Sequence, residues 1–286
     1  MKITKIERQK KNPERYSLFV NDQFLMGVHE ELLIQFALYK DQPVDQDFIN
    51  ALQEAEYQQS IYSAGLNYLS YGLRSIQEIQ DYLEKWLREK EEDSAEEPED
   101  ISTLIHTSLQ RLQDQGYLND EVFAGSYVRT QALINHKGPD AIRQELRRKG
   151  VSDSNIDSGL AEYPFQQEME NLEEVARKFK RSRSHRLPPK MLRNRLVDHL
   201  RTKGFSKDSI DLYLAEAEFE ESQDHQESLL DKEAQKLLRT RRRRYSGREL
   251  QQRVKQGLYQ RGFDGDLINQ WEQDHQALFV EGEDDE

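Results

Sequence analysis

No cysteine occurs among the 286 residues, which removes disulfides, thiol nucleophiles and thiolate metal sites and suits a reducing interior. Glycine (14) and proline (7) are sparse, too few for a loop-rich sandwich or a low-complexity linker. Nowhere does an apolar run approach the roughly 18 residues that span a bilayer. The opening MKITKIERQKKNPERYSLFV holds no apolar stretch of signal-peptide length. The expectation is a soluble, cytoplasmic protein without membrane contact. Catalytic signatures are missing as well: there is no G-x-x-x-x-G-K-[ST], no G-x-G-x-x-G after a strand and no H-E-x-x-H. The seven histidines are scattered, and with 54 acidic residues carboxylate pairs arise by chance everywhere. No nucleophile, base or metal set is positioned, so neither an enzyme nor a cofactor is expected.

What is abundant is charge. Charged residues make up 33% of the chain and hydrophobic ones 35%, a balance that suits many amphipathic helices with wet outer faces. The first 28 residues are the exception. ITKIERQ, RYSLFV and QFLMGV are short runs rich in β-branched and aromatic residues, separated by KKNPE and by Asn21-Asp22, and read as a small antiparallel meander. From His29 the period turns helical, with Leu32, Leu33, Phe36 and Ala37 on one face that can cover the sheet. A further helix starts after Pro43, with Asp45 placed to cap it.

The chain repeats itself. Moving Leu172–Ile210 forward by 58 residues lays Leu172 on Leu230, Ala176 on Ala234, Phe179 on Leu237, Leu192 on Leu250, Leu196 on Val254, and Leu200 on Leu258. Gly204-Phe205 falls on Gly262-Phe263, and Ile210 on Ile268. Upstream, Ile142, Leu146, Gly150 and Ile156 keep the spacing of Leu196, Leu200, Gly204 and Ile210. Further upstream, Ser75, Glu78, Ile79, Leu83 and Leu87 match Ser246, Glu249, Leu250, Val254 and Leu258, with the glycine missing and an acidic stretch intervening. Four repeats result, the first interrupted.

Each repeat reads as a long helix, a second carrying an i, i+4, i+8 apolar ladder, and a third starting just after the glycine. The glycine suits the left-handed residue that closes a helix, and Ser152, Ser206 and Asp264 are placed to cap the next one. Three short helices bury little surface alone, so neighbours are expected to stack. The fold expected is mainly α: tandem three-helix repeats in an elongated curved array, with a small N-terminal antiparallel β-sheet. The boundaries expected are 1–56 for the meander and its helices, 57–118 for repeat 1 with an acidic loop at about 89–100, 119–163 for repeat 2, 164–221 for repeat 3, 222–276 for repeat 4, and 277–286 for an acidic tail.

The net charge is −13, yet positive charge is concentrated in two places. Arg177 to Arg195 contains nine Lys or Arg and no acid, and RTRRRRYSGR puts six arginines into the ten residues from Arg239 to Arg248. A solvated helix face usually mixes both signs, whereas here the acids are exported to the loop, the tail and EFEESQDHQE. The sign asymmetry favours a surface for a polyanion or acidic partner. Lys178, Arg181, Arg183, Arg186 and Arg195 fall on Lys236, Arg239, Arg241, Arg244 and Arg253 under the 58-residue shift, so stacked repeats would present a basic stripe. The candidate binding residues are Lys178, Arg181, Arg183, Arg186, Lys190, Arg193, Arg195, Arg239, Arg241, Arg242, Arg243, Arg244, Arg248 and Arg253. Tyr68, Tyr71, Tyr127, Phe179, Tyr213 and Trp271 could stack on bases, but most lie on the apolar period of their helices and read as core.

YLSYGLRSIQEIQDYL, then LQDQGYLNDEVFAGSYVR, GPDAIRQELRRKGVS and LRTKGFSKDSI, resemble the RecX family of bacterial recombinase regulators. The most specific part is GYLND…FA at Gly116 to Ala124. The resemblance covers about residues 57 to 275, and the N-terminal sheet with the fourth repeat is similar to the longer form found in low-GC Gram-positive bacteria. It implies a noncatalytic inhibitor or modulator, likened to family members that bind the RecA recombinase filament on DNA, in DNA repair, homologous recombination and the SOS response, acting as a monomer. Some members also bind DNA, single- or double-stranded, so a helical-repeat protein contacting phosphates directly stays open as the alternative.

Overall fold

The computed structural model describes residues 1–91, 101–219 and 223–279. Most of the acidic loop expected at about 89–100 and of the acidic tail expected at 277–286 therefore lies outside the described residues. The chain divides into two compact units: Met1–Ala124 with Leu146–Ile156, and Gly125–Glu145 with Asp157–Glu286.

In the first unit, β1 (Ile3–Arg8), β2 (Arg15–Val20) and β3 (Gln23–His29) form an antiparallel sheet in that order. Asn21 and Asp22 both hold positive φ (48° and 64°), the conformation that matches a two-residue hairpin to strand twist. Ile3, Leu18, Val20 and Val28 pack against Leu32 of α1 (Glu30–Gln35) and against Ile49 and Leu52 of α2 (Gln46–Ser70). The Asp45 side chain caps α2 by accepting from the Phe48 amide at 2.8 Å. Buried Glu56 on α2 accepts from Arg15 and, at 2.8 Å, from the His29 amide, tying helix to sheet.

The helix expected to run through Ala37 stops sooner. α1 ends at Gln35, Ala37 takes φ +49°, and the Leu38 amide donates back to the Leu33 carbonyl at 2.9 Å. This closure turns Leu38 back onto Leu33 over the sheet core. α2 is one continuous helix, and residues 56 and 57 fall within it. Its second half packs Ile61 and Tyr62 with Ile79, Leu83 and Leu87 of α3 (Ile76–Glu91), and with Ile105, Leu109 and Leu112 of α4 (Ile101–Asp114).

α5 (Asp120–Leu133), α6 (Pro139–Arg148) and α7 (Asp153–Ala161) form repeat 2. Repeat 3 follows as α8 (Phe165–Arg183), a 3-10 turn at Ser184–Arg186, α9 (Pro189–Thr202) and α10 (Lys207–Glu216). Repeat 4 is α11 (Gln223–Arg241), α12 (Gly247–Gln260) and α13 (Gly265–Asp274), followed by a 3-10 turn at Gln276–Phe279. The thirteen α-helices and single small sheet among the described residues make the fold mainly α, built on three-helix repeats. The ladders are buried as their spacing required: Leu196, Leu200, Val254 and Leu258 are each 0% exposed. Gly150, Gly204 and Gly262 hold φ of +76°, +83° and +83°. Each closes its helix with paired bonds to carbonyls three and five residues back, such as Gly204 to Arg201 and Phe205 to Leu200. Ser152, Ser206 and Asp264 cap the helices that follow.

The glycine turns also join repeats. In the first unit, Ser75 at the start of α3 donates its hydroxyl to the Lys149 carbonyl at 2.6 Å, beside Gly150. In the second, the Gly138 and Asp140 amides at the start of α6 donate to the Lys203 and Gly204 carbonyls at 2.8 and 3.0 Å. The Gly262 turn likewise faces Lys190 and Met191 at the start of α9. One contact thus recurs three times: the turn after a second helix meets the start of the preceding repeat's second helix. α8 is seated further by buried Asn171, which donates to the Ala132 carbonyl and the Tyr163 hydroxyl at 2.9 and 2.8 Å. Burial pushes the Tyr163 phenol up to about 12.

Candidate basic interface

α8 and α11 run from acidic beginnings to basic ends, the order that complements a helix dipole. Lys178, Arg181 and Arg183 lie on the last turns of α8, Arg186 in the 3-10 turn, and Lys190, Arg193 and Arg195 on α9. Arg239 and Arg241 close α11, Arg242, Arg243 and Arg244 form the connection, and Arg248 and Arg253 lie on α12. Thirteen of these fourteen side chains are exposed, and Arg241 is half-buried. The helix ladders explain this placement: Leu192, Leu196 and Leu200 turn the buried face of α9 inward, which leaves Arg193 and Arg195 outward.

Two of the fourteen have carboxylate partners. Lys178 lies 3.1 Å from Glu174, and Arg253 lies 3.6 Å from Glu249. Among the described residues the other twelve form no ion pair. Arg183 rests 5.2 Å from the Phe179 ring centre, Arg253 5.0 Å from that of Tyr245, and Arg242 donates to the Leu278 carbonyl at 3.2 Å. Positive charge at the ends of α8 and α11 is locally favourable. Lys190 and Arg248 are not, because they stand in the first turns of α9 and α12, at the positive end of each dipole. The first turn of α9 has no acid at all. Helix stability therefore does not account for these cations.

The structure brings the two basic segments onto repeats in direct contact. The turn Ser184–Arg186 packs against α11, and the Gly262 turn packs on Lys190 and Met191. Among the described residues no hydrogen bond or ion pair links the segments to each other. At the opposite end of α11 the charge reverses: Asp224, Glu227, Asp231 and Asp274 line a recess of about 420 Å³ with Trp271 and His275.

The aromatic residues divide as expected with one exception. Tyr68 stacks on Tyr82 at 4.1 Å, Phe179 on His199 at 4.9 Å, and Trp271 on His275 at 4.5 Å. Tyr71, by contrast, is 75% exposed, because it lies just past the end of α2 where the apolar period no longer points inward. Among the described residues no group of three or more His, Asp or Glu could hold a metal, and no helix is long and apolar enough to cross a membrane.

Comparison with known proteins bears on this architecture. The family described as Regulatory protein RecX N-terminal domain matches residues 1–45, RecX, second three-helix domain matches 119–160, and RecX, third three-helix domain matches 225–271. The third family domain thus falls on the fourth repeat of this chain. The chain is 36% identical over 270 residues to the Regulatory protein RecX of Bacillus subtilis (strain 168), covering 94% of this chain and 96% of that protein. It is 35% identical over 271 residues to the protein of that name from Limosilactobacillus reuteri (strain DSM 20016), covering 94% and 97%. A solved structure titled Crystal structure of regulatory protein RecX aligns with a TM-score of 0.61 at 34% identity, over 75% of this chain and 99% of that one.

Proposed function

We propose, because this chain belongs to the RecX family of regulatory proteins, that it is a noncatalytic, cytoplasmic regulator of the RecA recombinase. It engages the RecA–DNA filament as a monomer through the basic edge of repeats 3 and 4, in DNA repair and homologous recombination. One observation carries the reading: twelve cations without carboxylate partners among the described residues, eleven of them exposed and Arg241 half-buried, gathered where α8 meets α9 and α11 meets α12. Desolvated arginine without a counter-charge is unfavourable inside a protein and readily paired outside it. Two equivalent basic segments on contacting repeats offer the same chemistry twice, at a spacing fixed by the Gly262 junction. A periodic, negatively charged filament is a partner that can use both.

The test is a titration against bare single strand, bare duplex and RecA-coated strand at two salt concentrations. Direct phosphate binding predicts a log–log salt slope of about 0.9 per phosphate neutralised on duplex, with no strong base preference. A filament interface is expected to bind more tightly than bare DNA and to depend less on salt. Replacing Arg241, Arg242, Arg243 and Arg244 by Ser should change stability by no more than about 0.5 kcal/mol per site while weakening filament binding at least tenfold. Equal affinity for bare DNA and filament would instead establish the alternative, a helical-repeat protein that contacts phosphates directly. Unchanged binding by the folded quadruple variant would refute both.

A further inference from the structure

We propose that the acidic stretch Glu281–Glu286 docks on the arginine segment Arg239–Arg248 of the same chain and competes there with polyanionic partners. Phe279 is 9% exposed and packs edge-on to Trp271 at 6.4 Å between ring centres. The 3-10 turn that ends at Phe279 lies against α12, and the Leu278 carbonyl accepts from Arg242 Nη2 at 3.2 Å. The chain is therefore held beside the arginines at Leu278, three residues before the acidic stretch begins.

Reach and charge both fit. Residues 280–286 can extend about 23 Å at roughly 3.3 Å per residue, several times the ~5.4 Å of one helical turn, so the end of α11, the connection and the start of α12 are all accessible. Glu281, Glu283, Asp284, Asp285 and Glu286 place five carboxylates in six residues. Opposite to them in charge are Arg239, Arg241, Arg242, Arg243, Arg244 and Arg248, which form no ion pair among the described residues. Ser246 makes no side-chain capping bond at the start of α12, so carboxylates arriving there add a favourable dipole interaction to the guanidinium contacts. Tethering makes the encounter intramolecular, with an effective concentration in the millimolar range, while salt screens it.

Repeat 3 holds the same arrangement in smaller form. Lys180 at the basic end of α8 donates to the Glu218 carbonyl at 3.0 Å and lies 5.1 Å from the Phe219 ring centre, and Glu220 and Glu221 come next in sequence. In both repeats the chain crosses the basic end of its own long helix just before a run of acids.

The contact itself stands on this geometry alone; its competitive consequence rests on the basic edge being the partner-binding face. The experiment compares the full chain with a variant carrying Glu281→Gln, Glu283→Gln, Asp284→Asn, Asp285→Asn and Glu286→Gln. Arginine side-chain Nε–H resonances report the contact, and a fluorescent oligothymidylate serves as the polyanion probe. At about 50 mM salt the neutralised chain should show shifted Arg239–Arg248 signals and bind the probe roughly 3- to 10-fold tighter. Both differences should disappear near 0.5 M salt, where the Debye length falls to a few ångströms. Identical arginine resonances in the two chains overturn the docking. Shifted resonances with equal probe affinity overturn the competition. If neither chain binds the probe or a RecA-coated strand, the functional reading of the basic edge fails, and the resonances alone decide whether the stretch docks.

Discussion

Gly204 of repeat 3 and Gly262 of repeat 4 occupy equivalent places and share a φ of +83°, yet they meet their neighbours differently. A Cβ on Gly204 would lie 2.2 Å from the Ala141 amide nitrogen and 2.3 Å from the Ala141 Cβ, whereas one on Gly262 would find nothing closer than Met191 at 3.4 Å. The cause is in the partner helix. α6 is preceded by Gly138, whose amide is free to donate to the Lys203 carbonyl, so the two backbones close to hydrogen-bond distance. α9 starts at Pro189 directly after Pro188, neither of which has an N–H to give, and the Gly262 turn rests on the Met191 Cβ and amide nitrogen without a backbone hydrogen bond to them among the described residues. A repeated sequence thus yields a repeated fold while the strength of each junction is set by the first residues of the helix it lands on.

The strongest way to break the comparison is to bury a charge in each ladder. Leu196→Asp and Val254→Asp both place an unpaired carboxylate at a site that is 0% exposed, an effect on the order of 4 kcal/mol or more. Limited proteolysis should show Val254→Asp opening repeat 4 alone, while Leu196→Asp opens repeat 3 and loosens repeat 4, which leans on α9. Simultaneous loss of every repeat from either change would mean one shared core.

Substituting the junction glycines sharpens the difference directly. Ala at either site incurs left-handed strain of about 1–2 kcal/mol, but only Gly204→Ala adds the collision with α6, for a total of about 3 kcal/mol or more. Thermal unfolding should rank Gly204→Ala clearly below Gly262→Ala. Equal losses would show that the closer junction contributes nothing.

The smallest expected effect separates the repeats by pH. His199 of repeat 3 stacks on Phe179; its counterpart in repeat 4 is Gly257, set against Leu237. Burial, with Lys203 and Arg183 adding to it, lowers the His199 imidazole below its ordinary 6.5. The folded state then favours the neutral ring, and the unfolded chain takes up the proton first. Repeat 3 keeps its full stability above about pH 6.5 and loses some as pH falls through and below that value. His199→Gln should flatten this dependence in a thermal-melt series from pH 7.5 to 5. A parent chain whose pH response matches that of the variant would exclude the histidine as its source.

Much of this was legible in the sequence because apolar spacing and glycine are direct statements about backbone. The ladders Leu192–Leu200 and Leu250–Leu258 are buried as read, and Gly150, Gly204 and Gly262 adopt the left-handed turns their positions implied. The end of α1 was not legible. Ala37 makes the same closure as those glycines but carries a side chain that reads as one more helical residue. For the basic edge, exposure followed from the ladder phase. What the sequence does not display is that the Gly262 turn of the next repeat meets the chain at Lys190 and Met191, or that the Leu278 carbonyl accepts from Arg242. Those are pairings between segments that no local pattern encodes.

The turn-to-helix-start contact has a consequence for how such a chain can change its length. At the Gly138–Gly204 junction the recognised groups are main-chain amides and carbonyls, so the joint asks for a conformation rather than for particular surface side chains. A further 58-residue unit spliced between repeats 3 and 4 would present the same turn to α9 and the same helix start to Gly262. Modules of this kind can be added or removed in whole steps while the charges on their outer faces diverge freely.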